Sequence, residues 1–268
     1  MWSGILRTFL VLVCNALVAT AVALALTPPV RPALAVDRGV PREHHPWGRF
    51  TPGSWKLVRV VTETLGPKGE VTTTSTTETR TTLDELTDAT VKLTINTSVE
   101  VAGKKVEAKP QSIVQGYQGD STDQPATVKD LGTDKVTIDG QEISCSVQQV
   151  ETTADGTRTM VKTWCSDGVA PYVLRRESVA TEAETGKPLS ETKVKVVHLG
   201  EIRKVLAEDR RTARLEVTHQ HAKGHTITHV WTALDVPGGI VAHTSDEFDA
   251  AGQPIRRSRL ELVDFGVK

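Results

Sequence analysis

The feature that most constrains this chain is that it repeats itself. Residues 143–200 and 214–266 carry the same signals in the same order. Each copy opens with a strand-like run, turns at Asp155-Gly156 or Lys223-Gly224, and returns to a tryptophan, Trp164 or Trp231. A short segment with Pro171 or Pro237 follows, then an apolar strand start, Val173-Leu174 or Ile240-Val241. A Gly-x-Pro turn comes next, Gly186-Lys187-Pro188 or Gly252-Gln253-Pro254. An alternating strand then closes each copy at Gly200 or Gly266. The offset between the copies stays at 66–68 residues throughout. Each copy therefore reads as two hairpins joined by a Trp-to-Pro corner.

The rest of the chain has the same β texture. Val and Thr are abundant, apolar and polar residues alternate, and turn signals recur. Further turns are expected at Gly66-Pro67-Lys68-Gly69, Ala102-Gly103-Lys104 and Asp139-Gly140, with strands over Lys56–Thr64, Val91–Val101, Lys135–Ile138 and Ile143–Thr152. Helical spacing occurs only in Leu83–Asp88 and Ile202–Arg211, and the polar, proline-containing segment Gly119–Asp130 reads as a loop. These signals predict a mainly antiparallel all-β fold. It is a curved sheet or unclosed barrel of about 10–12 strands built from duplicated hairpin modules, with one or two short helices. Residues 55–268 form one β domain, preceded by an extended arm at 36–54, and residues 55–117 read as a degraded third copy that lacks the Trp-to-Pro corner.

At the N-terminus Arg7 precedes an apolar run from Phe9 to Leu26, three prolines follow, and Ala33-Leu34-Ala35 places small residues at a cleavage site. That order is a secretory signal over residues 1–35, with an uncleaved anchor as the alternative. With 32 Lys and Arg against 33 Asp and Glu, and the signal removing only Arg7 and Arg31, the exported chain has a net charge of -3. Bulk charge thus gives no footprint for nucleic acid. The expected location is the periplasm or cell envelope, peripheral to the membrane after cleavage.

Three sets of residues carry candidate chemistry. A three-residue loop Ala154-Asp155-Gly156 would set Thr153 opposite Thr157 and, in the same register, Cys145 opposite Cys165. A disulfide is then expected, worth about 3 kcal/mol at most, with buried free thiols as the alternative. A three-residue loop Ala222-Lys223-Gly224 would likewise bring His219, His221, His225 and His229 to one face, a candidate zinc or copper site. No other cofactor is implied. Trp164 and Trp231 are the largest apolar groups of their copies. Their expected role is in the core, framing any ligand-binding surface. The chain has no Gly-x-Ser-x-Gly, phosphate loop or His-Glu-x-x-His, so a non-enzymatic protein is expected.

The pattern of Trp231, Pro237, Ile240-Val241, Asp249-Ala250-Ala251-Gly252 and Leu260–Gly266 resembles the C-terminal half of the LolA/LolB-like periplasmic lipoprotein-sorting superfamily. The resemblance implies an unclosed antiparallel barrel whose concave apolar surface takes acyl chains, a lipid or a lipoprotein. A metal-binding protein using the four histidines and a structural envelope protein that docks a partner are the competing readings.

Overall fold

Residues 41–117 and 126–268 are described by the computed structural model. The signal over 1–35 and most of the expected loop at 119–130 lie outside the described residues. A short arm with a 3-10 turn, Arg42–His44, leads into fourteen strands. They are β1 (Trp55–Leu65), β2 (Val71–Leu86), β3 (Thr90–Val101), β4 (Lys104–Glu107), β5 (Gln111–Gly116), β6 (Ala126–Ile138) and β7 (Gln141–Ala154). Then come β8 (Thr157–Cys165), β9 (Val173–Glu182), β10 (Pro188–Val205), β11 (Glu208–His221), β12 (Gly224–Thr232), β13 (Ile240–Asp249) and β14 (Pro254–Gly266).

All pair antiparallel in one unclosed sheet, in the order β4-β3-β2-β1-β14-β13-β12-β11-β10-β9-β8-β7-β6, with β5 also on β3. The fold is thus all-β and unclosed, with more strands than expected. Strands β7, β8 and β9 begin at 141, 157 and 173, and β11, β12 and β13 begin at 208, 224 and 240, so each begins 67 residues later.

Neither expected helix forms. Leu83–Leu86 ends β2, where Leu83 pairs with Leu93 and Leu86 with Val91. Ile202–Arg211 is the tip of the β10–β11 hairpin, turning at Leu206 (φ 50) and Ala207 (φ 68). Cross-strand partners satisfy the backbone there, and a coincidental i, i+3 spacing cannot outweigh them. Ala126–Asp130, expected as loop, belongs to β6, where Ala126 to Asp130 pair with Thr152 to Gln148.

One face of the sheet carries the core. Its centre is a cross-strand row, Val60–Leu260–His243–Val230–Leu215–Val196, in which each residue opposes the next. Period-2 alternation puts Val58, Leu262, Val217 and Val194 on the same face. The opposite face is charged, with cross-strand pairs such as Arg59–Glu78 at 2.8 Å and Lys195–Glu216 at 2.8 Å.

The chain itself covers this apolar face in three places. The β6–β7 hairpin contributes Val136, Ile138, Cys145 and Val147 to the cluster holding Val194, Val196, Leu215, Val217 and Val230. Its turn reaches β10, where Asp139 Oδ1 lies 2.5 Å from His198 Nδ1 and Asp139 Oδ2 accepts from the Leu199 amide at 2.9 Å. Those bonds hold the Asp139 carboxyl below the usual range, the amide bond first and the His198 bond second. Sixty-seven residues on, the β10–β11 tip puts Val205 against Val58, Val60, Leu260 and Leu262. Each long hairpin shifts register at a left-handed glycine, Gly132 (φ 81) or Gly200 (φ 76), and such bulges bend the strand. The third cover is the arm, whose Trp47 and Phe50 pack on Leu83, Val91 and Leu93.

Candidate binding surface

The two tryptophans pin the bent hairpins. Trp164 is buried, and its indole Nε1 donates to Asp134 Oδ2 on β6 at 2.9 Å. That bond is the main reason the Asp134 carboxyl stays below its usual range. Trp231 donates to Glu201 Oε1 on β10 at 3.2 Å. Cations stack on both rings: Arg175 lies 4.4 Å and Lys162 4.8 Å from the Trp164 centroid, and Arg203 lies 4.4 Å from that of Trp231. Trp164 belongs to the cluster under the first hairpin and Trp231 packs against the cluster under the second.

The four histidines do not converge. The β11–β12 loop has two residues, Ala222-Lys223, so His221 pairs with Gly224, Gln220 with His225 and His219 with Thr226. A one-residue change of register moves every side chain of a strand to the other face. His219 and His221 therefore share one face, while His225 and His229 lie on the other. His219 Nδ1 is 2.8 Å from Thr192 Oγ1, and His225 stacks on Phe248 at 4.7 Å. Burial, then the charge of His221, pushes the His219 pKa down. Among the described residues no three His, Cys, Asp or Glu side chains gather as a metal site. Gly224 sets the short loop: a Cβ there would lie 2.0 Å from the Phe248 carbonyl oxygen.

The same shift corrects the cysteine pairing. Asp155 (φ 48) and Gly156 (φ 72) form a two-residue turn of the type that matches strand twist. Ala154 pairs with Thr157 and Ser146 with Cys165, which leaves Cys145 beside Val147 on the face of Trp164. Both cysteines are buried free thiols. Burial raises both thiol pKa values, that of Cys165 to about 11. Alkylation of the native protein at pH 8 is expected to leave both unmodified and to label both after urea denaturation. A Cys145–Cys165 peptide pair in a non-reducing digest would overturn this.

The sequence signals missed two features. One is the hollow of about 480 Å³ on the charged face, lined by Arg59, Val61, Glu63, Asp246, Arg257 and Arg259 among others. Its residues come from β1, β13 and β14, adjacent only because the two ends of the chain pair. The other is the placement of the arm, expected at 36–54, over one end of the apolar face. His45 in it is buried, and desolvation lowers its pKa to about 4. Its Nδ1 accepts from the Trp47 amide at 3.3 Å. The His44-His45-Pro46-Trp47 stretch was visible in the sequence, but nothing local to it shows what it covers.

No protein-family model and no curated protein matches the chain. Solved structures similar to it include a Bacteroides fragilis protein described as exported and as having a YmcC-like fold. That likeness has 12% identity and a TM-score of 0.34, over 81% of this chain and 97% of the other. They also include a Parabacteroides distasonis protein described as a lipoprotein, at 9% identity and a TM-score of 0.35, over 81% of this chain and 96% of that one.

Proposed function

We propose that this is an exported, non-enzymatic protein that binds a lipid, or the acyl part of a lipoprotein, on the apolar face of its sheet. The observation that carries this reading is the manner in which that face is covered. An apolar row crosses β1, β14, β13, β12, β11 and β10 and is shielded by two hairpin tips and an arm. A fold that only needed to bury this face would close the barrel or stack a second sheet on it. Separate covers allow one part of the face to be uncovered while the others stay shut. The secretory pattern at 1–35 and the likeness of 214–266 to the lipoprotein-sorting superfamily agree with this reading.

Native mass spectrometry tests it. Protein recovered after export, without added metal, is expected to carry an adduct of lipid mass or to acquire one from C16 lysophosphatidylcholine. A bare mass under both conditions would overturn the reading and favour a docking role for the charged face.

A further inference from the structure

The arm is the cover whose backbone is least joined to the sheet. It crosses one end of the sheet and touches four parts of the fold. The His44 ring stacks on Tyr172 at 4.1 Å, almost parallel at 8°. His45 Nε2 lies 3.3 Å from the side-chain amide of Gln115 on β5. Trp47 lies against Gly238, where a Cβ would come within 2.8 Å of the indole, and Phe50 sits with Leu83 and Leu93.

Its His45, Trp47 and Phe50 side chains are buried, yet its backbone is hardly joined to the sheet. The amides of His44, His45, Gly48 and Phe50 bond to carbonyls within the arm itself. Among the described residues, one backbone bond ties Arg42–Phe50 to the rest of the fold, from the Gly238 amide to the Pro46 carbonyl at 3.1 Å. Pairing with β2 begins only at Gly53 and Ser54, both bonded to Leu83.

The closed arm also buries polar atoms at a cost. Arg49 Nε and Gln115 Oε1 are buried without a hydrogen bond, and buried His44 Nδ1 has only the distant Asp167 Oδ1, at 3.7 Å. Opening would return all three to water, and this offsets part of the penalty for exposing Trp47 and Phe50. Few backbone bonds and unsatisfied polar groups are the marks of a segment that opens below the free energy of global unfolding.

We infer that residues 42–50 are a displaceable cover. They open as a unit while the sheet stays folded, and an acyl chain takes the place of Trp47 and Phe50 on Leu83, Val91 and Leu93. This rests on the lipid-binding reading, and it adds where the ligand enters and what it displaces. The surface so uncovered is aliphatic, with Tyr117 and Gln115 at its rim, and that lining suits an acyl chain.

Hydrogen exchange of the whole exported chain, with and without C16 lysophosphatidylcholine, tests the inference. The amides of 42–50 are expected to exchange about 100-fold faster than those of β1 and β2 without lipid, and about tenfold faster still with it. Phe50→Ala is expected to raise lipid occupancy by native mass spectrometry. Exchange of 42–50 at the same rate as β1 and β2 would overturn the displaceable cover while leaving lipid binding elsewhere on the face intact. Fast exchange that lipid does not alter, with no lipid bound to wild type or variant, would instead overturn lipid binding and with it the gating role of the arm.

Discussion

Trp164→Ala is expected to destabilise the protein by about 3–5 kcal/mol, the largest effect of any single substitution considered. Two losses combine. The indole is 2% exposed and packs among Val147, Leu174 and Val194, so its removal leaves a cavity that a bent, pinned hairpin cannot close. The Asp134 carboxylate also loses the N–H that holds it, beside a hairpin whose position depends on that bond. Trp164→Phe keeps most of the packing and loses the hydrogen bond, so about 1–2 kcal/mol is expected. Trp231→Ala should cost less than Trp164→Ala, because Trp231 is only partly buried and its bond to Glu201 is longer, at 3.2 Å. Urea unfolding of the three variants measures this. A Trp164→Ala cost below about 1 kcal/mol would show that the indole does not anchor the hairpin.

Acid should destabilise the fold before its carboxylates titrate. Burial lowers the pKa of His243 and of His45 from 6.5 to about 4. The unfolded chain therefore binds more protons than the native one between pH 6.5 and about 4. For a lowered folded pKa the stabilisation is present above the unfolded value and is lost as pH falls toward the folded value. By pH 5 the loss is about 2 kcal/mol for each histidine.

Their positions separate the two. His243 sits in the cross-strand row between Leu260 and Val230, so protonating it penalises the whole sheet. His45 lies in the arm, where opening of 42–50 relieves the penalty at a smaller free energy. Thermal melts from pH 7 to pH 5 should flatten markedly in His243→Asn and only slightly in His45→Asn. A wild-type midpoint that does not fall over this range would refute the assignment of both as neutral buried imidazoles.

The sequence by itself determined the β class, the unclosed sheet and most of the turns. Asp-Gly and Gly-x-Pro signals are local, because a left-handed or proline-fixed residue ends a strand whatever surrounds it. It also marked the recurrence of Trp164 and Trp231, since period-2 alternation and a large apolar residue need no tertiary context to be seen.

Register was decided by the tertiary structure. Asp155-Gly156 is a good turn in either a two- or a three-residue loop. The choice between them moves Cys165 from opposite Cys145 to opposite Ser146, and the same choice at the Ala222-Lys223 turn divides the four histidines between the two faces. Burial makes that choice, keeping Leu215 opposite Val230 and Val147 opposite Trp164. The segments with helical spacing became strands for a related reason. Leu83 and Leu86 pair with Leu93 and Val91, and beyond Leu199 the β10–β11 tip bends over the sheet with its backbone paired across its own hairpin, Glu201 with Thr212 and Val205 with Glu208. What the arm covers was decided in the same way: His45, Trp47 and Phe50 are local in sequence, but Leu83, Gln115, Tyr172 and Gly238 meet them only once β1 and β14 pair and bring the two halves of the chain into one sheet.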